Sequence, residues 1–144
     1  MFSFGNGDDL PIGIHSASLV DVISILGTGS LRRSFLAGRL KNIYELVLET
    51  SQLRRFVLFG SFVTRKVEPN DIDIFLIMEN AFDAATVKGA TRGLFDYSTA
   101  QAEWDASILW IRLAALFTSE DEFIAYWQIR RDGGLRGIVE IVSE

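Results

Sequence analysis

With 144 residues, 49% of them hydrophobic and 12% aromatic, the chain is long enough for one substantial core and too short for two ordinary domains. Lys and Arg total 14 against 19 Asp and Glu, and the resulting net charge of −5 argues against a protein whose main task is gripping nucleic-acid phosphates, while leaving room for a small nucleotide. The absence of cysteine excludes a disulfide framework and a thiolate metal site, and with no secretory leader or bilayer-length apolar run the expectation is a cytoplasmic protein that does not enter a membrane.

In chain order, residues 1–14 read as an irregular arm, because Gly5, Gly7, Pro11 and Gly13 interrupt any period. His15 follows, and a lone histidine ahead of a helix is more often a capping or packing group than a base. Ser18, with Asp21 three residues on, predicts a helix over 19–26 stopped by Gly27. Ser30 predicts the cap of a longer helix from 31 to about 50, in which Leu36, Leu40, Ile43 and Val47 recur at helical spacing and should face a sheet. On the same helix, Arg32, Arg33, Arg39 and Lys41 read as a solvated face.

Behind Arg54 and Arg55, Phe56-Val57-Leu58-Phe59 is an apolar run of strand length that ends in Gly60-Ser61. A varied connector through Pro69 and Asn70 separates it from a second run, Asp71-Ile72-Asp73-Ile74-Phe75-Leu76-Ile77-Met78. Asp83 opens a helical or turn region broken by Gly89 and Gly93, Ser98 with Gln101 has the spacing of a capping pair, and residues 106–112 read as a third strand. Ser119 with Glu122 predicts a short helix through Phe123 and Tyr126. Residues 127–130 and 138–142 alternate around Arg131-Asp132-Gly133-Gly134 and predict a closing hairpin. Trp104, Trp110 and Trp127 read as core rather than as a base-stacking platform. The expected architecture is one α/β domain over 1–144, a short mixed sheet with helices on one side and a C-terminal hairpin.

The chemistry concentrates where the first two runs meet. Positions two apart on a strand share a face, so Asp71 and Asp73 should project together while Ile72, Ile74, Leu76 and Met78 enter a core. Two carboxylates held that close repel, and a hard divalent cation such as Mg²⁺ relieves the conflict, because it takes one or two carboxylates together with substrate phosphates. Gly60 removes a Cβ where backbone must approach a ligand, and Ser61 offers a hydroxyl and an N–H at the start of a turn; both suit a phosphate. Arg65 and Lys66 are the nearest cations in the connector, and they either screen phosphate charge or point into water.

An apolar strand ending in Gly60-Ser61, nine residues and then Asp71-Ile72-Asp73-Ile74 resembles the signature of the nucleotidyltransferase superfamily that includes DNA polymerase beta, at the size of its minimal members. Leu10-Pro11-Ile12-Gly13-Ile14-His15, with the segments Tyr126-Trp127-Gln128, Arg131-Asp132-Gly133 and Gly137-Ile138-Val139-Glu140-Ile141, also resembles a little-characterised bacterial family of stand-alone nucleotidyltransferase-like domains. The resemblance implies transfer of a nucleoside monophosphate from a nucleoside triphosphate to an unknown acceptor, which could be a protein, with Asp71 and Asp73 holding Mg²⁺ or Mn²⁺. It also implies a third carboxylate on a neighbouring strand. Asp105, at the mouth of the third strand, is the candidate; Ser107 stands at the more interior position, and Glu103 or Asp96 could contribute from a loop. The rival that the resemblance implies is a weak or inactive, antitoxin-like interaction protein with a small helical protein as its partner.

Overall fold

Five strands pair into one mixed sheet in the order β1-β5-β2-β3-β4, where β1 is Ile14–Ala17, β2 Leu53–Phe59, β3 Ile72–Met78, β4 Ala106–Arg112 and β5 Ile138–Ile141. The helices are α1 (Leu19–Leu26), α2 (Leu31–Glu49), α3 (Ala90–Leu94), α4 (Tyr97–Trp104) and α5 (Glu120–Ala125). The structure, a computed structural model, describes residues 2–143, so Met1 of the expected arm and Glu144 lie outside the described residues. β2 is antiparallel to both β3 and β5, whereas β3 runs parallel to β4 and β1 parallel to β5. The mixed α/β class expected from the sequence is the one observed.

Strand alternation divides the sheet between two unequal layers. Phe56 and Leu58 of β2 and Ile72, Ile74, Leu76 and Met78 of β3 bury against Leu36, Leu40, Ile43 and Val47 of α2 in the main core. Each such side chain taken out of water stabilises the fold by roughly 1.5–3 kcal/mol. Val57, Phe75, Ile77 and Ile138 face the other way and pack with Ile124, Phe123 and Trp127. Helices therefore cover both faces, not one as expected: α5 and the 3-10 turn Tyr126–Gln128 form a small second layer over apolar residues that alternation sends to the far side.

The serine caps form as their spacing predicts, with Ser18, Ser30 and Ser119 accepting from the backbone N–H groups of Asp21, Arg33 and Glu122 at 3.2, 3.0 and 3.2 Å. Ser98 does not cap α4. Asp96 does, accepting from the Thr99 N–H at 3.1 Å, and its carboxylate leaves Ser98 inside the first turn.

Two further expectations are corrected. The closing hairpin is a loop: β5 is already flanked by β1 and β2, so no edge remains for residues 127–130, which make a single bridge between Ile129 and Leu135. Arg33 is not solvated but 4% exposed. Its Nε donates to the Lys66 carbonyl at 2.8 Å, its Nη1 to those of Leu26 and Phe62 at 3.0 and 2.9 Å, and its Nη2 to that of Thr64. The guanidinium thereby ties the end of α1 to the connector that follows Gly60, a place where helix-terminal carbonyls favour a cation. Burial lowers the Arg33 pKa from its ordinary value.

Candidate functional site

β2 ends at Phe59, whose antiparallel partner is Asp73. The chain leaves the strand through Gly60 at φ +74° and ψ −163°, a conformation that side chains other than hydrogen rarely adopt, and enters the 3-10 turn Ser61–Val63. The register puts Gly60 directly beside the Asp73 carboxylate. A Cβ at Gly60 would stand 1.9 Å from Asp73 Oδ2 and 2.8 Å from its Cγ, so the carboxylate occupies the space that glycine leaves open.

On the other side of β3, Asp73 lies opposite Ser107 in the parallel register with β4. Asp71 sits just ahead of β3, where its Oδ2 accepts a hydrogen bond of 2.8 Å from Ser107 Oγ. Ser107 Oγ in turn accepts from Gln101 Nε2 at 3.1 Å, and the same amide nitrogen is 3.2 Å from the Tyr97 hydroxyl. A chain of polar contacts from α4 thus fixes the rotamer of Asp71. The pKa of Asp73 is pushed up to about 6, first by burial and then by the charge of Asp71, against which the charges of Arg131 and Arg136 act.

The two acids lie in a cleft of about 680 Å³ that also contains Gly60, Ser61 and Lys66. Phe59 and Trp127, with ring centroids 4.8 Å apart, give it an apolar wall. Of the residues singled out in the sequence, Gly60, Ser61, Lys66, Asp71 and Asp73 are brought together here.

Arg65 and Asp105 are not. The Arg65 guanidinium donates to the Gly5 carbonyl at 2.9 Å and lies over the Phe4 ring, because the extended backbone at Thr64 turns it toward the N-terminal arm. Asp105 is the left-handed C-cap of α4, with φ +53°, and its carboxylate is 3.8 Å from Arg32 Nη2. β4 begins one residue later, so strand alternation never aims Asp105 at the acid pair, and Ser107 takes that place. Asp96 is committed to capping α4, and neither it nor Glu103 lines the cleft.

Sequence reasoning missed Gln101, Tyr97, Arg131 and Arg136, all of which line the cleft. Gln101 and Tyr97 carry no signal, since their role depends on where α4 meets β4. The arginines did leave one: with Arg130 they make three cations around a Gly-Gly turn in an acidic chain.

The donor set suits a hard cation of the Mg²⁺ type. Asp71 and Asp73 offer oxygens, repel each other, and leave Asp73 harder to ionise than an ordinary carboxylate, all of which a divalent ion would relieve. Among the described residues, no three His, Cys, Asp or Glu side chains form a cage, so the remaining ligands would have to come from water and substrate phosphates.

Fold and site together define a mixed α/β domain with a carboxylate pair set in a polar cleft beside a glycine turn. The chain belongs to a family of unknown function, DUF6932, which matches residues 2–142. No curated protein and no solved structure matches the chain significantly.

Proposed function

We propose that the cleft binds a nucleoside triphosphate with Mg²⁺ or Mn²⁺ and transfers its nucleoside monophosphate to an acceptor hydroxyl, on a protein or a small molecule. The observation that carries this reading is the fit of the Asp73 carboxylate into the space of the absent Gly60 Cβ, 1.9 Å from where that atom would stand. It sets the carboxylate of the acid pair directly against the backbone turn at Gly60 and Ser61. Asp71 and Asp73 would hold the cation, which would neutralise charge on the phosphate oxygens. Ser61 and the backbone around Gly60 hold phosphate oxygens, Lys66 adds positive charge from the connector, and Ser107 keeps Asp71 oriented.

In the reaction the acceptor oxygen bonds to the α-phosphorus, the bond from that phosphorus to the bridging oxygen breaks, and pyrophosphate leaves with the electron pair. The acceptor's proton passes to water. Asp132, the other carboxylate of the lining, is a poor base, since the Gly134 N–H and Arg130 hold its pKa below the usual carboxylate range.

Isothermal titration with ATP, GTP, CTP and UTP, with and without Mg²⁺, tests the reading. The expected result is binding that requires the metal and is lost in Asp71→Asn, followed by label transfer from the preferred nucleotide. Absence of binding to all four by folded protein overturns it. Ser107 in place of a third acid favours a second reading, a domain that binds nucleotide and presents it to a protein partner without turnover. Metal-dependent binding with no label transfer to any acceptor, including a co-expressed small helical protein, would support that alternative.

A further inference from the structure

The cleft carries a second charged feature that neither the acid pair nor the glycine turn explains. Between α5 and β5 the chain folds into a tight loop: the Gly133 N–H donates to the Arg130 carbonyl at 3.0 Å, and the Arg130 N–H to the Gly134 carbonyl at 2.7 Å. Within it Arg130 and Asp132 clasp each other through two contacts of 3.1 and 2.8 Å, and a Cβ at Gly134 would stand 2.7 Å from Arg130 Nη2, so the clasp would have to shift to admit it. Arg130 also reaches Asp9 of the N-terminal arm at 2.9 Å, and Arg136 lies 3.6 Å from the other oxygen of the same carboxylate.

Arg130 is therefore fully committed. Arg131, between the two clasped residues, makes no ion pair or side-chain hydrogen bond among the described residues, yet it lines the cleft that holds Asp71 and Asp73. Among the described residues, Arg136 has one carboxylate partner, Asp9, and shares it with Arg130. Both Arg131 and Arg136 lie close enough for their charges to act on Asp73. A protein of net charge −5 thus holds a hydrogen-bonded loop that presents arginines to one end of the polar cleft, with no carboxylate paired to Arg131 among the described residues.

We propose that Arg131 and Arg136 form an anion subsite that takes the pyrophosphate portion of a polyphosphate ligand while the α-phosphate lies at the acid pair. The choice of ligand rests on the nucleotide reading of the cleft, but the subsite itself is a claim about the loop. Guanidinium groups suit it, because each offers a planar fork of donors that a phosphate can accept from in pairs.

Titration with tripolyphosphate in EDTA tests the subsite without the metal. The wild type binds, added salt weakens binding, and Arg131→Ala and Arg136→Ala each weaken it on the order of tenfold or more, the range for hydrogen bonds to a charged group. Arg131 is exposed and unpaired, so its alanine variant keeps the fold; Arg136→Lys serves if loss of the Asp9 contact unsettles the alanine variant. Tripolyphosphate binding that depends on Arg131, with no Mg²⁺-dependent binding of any nucleoside triphosphate, supports the subsite and removes the nucleotide reading. Mg²⁺-dependent nucleotide binding that needs Asp71 and is unchanged in Arg131→Ala and Arg136→Ala overturns the subsite and leaves that reading standing. Failure of the wild type to bind tripolyphosphate also overturns it.

Discussion

Gly60→Ala tests the construction of the site most directly, because two separable costs meet at one atom. The backbone at φ +74° and ψ −163° lies in a region that is nearly closed to residues with a Cβ, and holding alanine there costs about 1–3 kcal/mol. The second cost is the clash at 1.9 Å with Asp73 Oδ2 and 2.8 Å with its Cγ, which the carboxylate can escape only by rotating away from the turn. Asp73 Cβ, at 3.1 Å, is a tight contact that can give. Together these should lower stability by roughly 2–4 kcal/mol and abolish metal-dependent ligand binding even where the fold survives. In an Asp73→Ala background the carboxylate is gone, so Gly60→Ala should cost only its backbone share. Urea unfolding of the four proteins of this cycle, followed by tryptophan fluorescence, measures the difference. Equal losses in the two backgrounds would refute the claim that Asp73 fills the glycine's space, and an unchanged midpoint for Gly60→Ala would refute the backbone cost as well.

Asp73 also sets a pH dependence. Its pKa of about 6 in the fold lies above the ordinary 3.8, so between those values the folded protein holds a proton that the unfolded chain has released. Stability from this group is fully present below pH 4 and falls as pH rises to about 6, by roughly 2–3 kcal/mol in all; the difference in unfolding free energy between wild type and Asp73→Asn across that window reads it, and parallel curves would contradict it. For the same reason Mg²⁺ affinity should weaken as pH drops below 6, by up to about tenfold per unit. Arg33→Met leaves carbonyls of Leu26, Phe62, Thr64 and Lys66 without their donor and should cost about 3–5 kcal/mol by urea denaturation, whereas a loss under 1 kcal/mol would mean that water reaches them. Ser107→Asp puts a third carboxylate opposite Asp73. It should destabilise the protein in EDTA by about 1–2 kcal/mol and make its melting temperature respond to Mg²⁺ more than the wild type's does, and an equal metal response would sink that reading.

Where the fold was legible, the deciding physics was local. Serine followed by a donor three residues on gave three helix starts, and alternation correctly sent Ile72, Ile74, Leu76 and Met78 to one face and the acids to the other. Gly60, Ser61, Asp71 and Asp73 could be grouped because strand pairing converts their spacing into proximity. The misses all depend on distant partners. Arg33 looks like one more cation on a wet helix face until residues 29 to 33 positions away present their carbonyls to it. Asp105 looks like the first residue of a strand until the helix before it ends in a left-handed turn. The last segment alternates like a hairpin, but which strands flank β5 is a property of the whole sheet, and β1, drawn from what read as an arm's end, takes one of its edges.

Ser107 ties these observations together. In the parallel register with β3 it stands opposite Asp73, the more interior place for the third acid that the resemblance implies, and it donates to Asp71. A carboxylate there would add a third like charge to a pair whose half-buried member, Asp73, already ionises with difficulty, so the site without a cation would be held only at a cost in stability. A neutral hydroxyl adds no such charge: it donates to Asp71 and links it to Gln101 on α4, which holds the Asp71 carboxylate in place. What it gives up is an additional protein ligand. On the proposed reading the cleft takes one cation, whose remaining ligands would come from water and the substrate. In the proposed subsite Arg131 and Arg136 are the counterpart of that absent ligand, since affinity that two carboxylates alone do not supply would come from the anion itself.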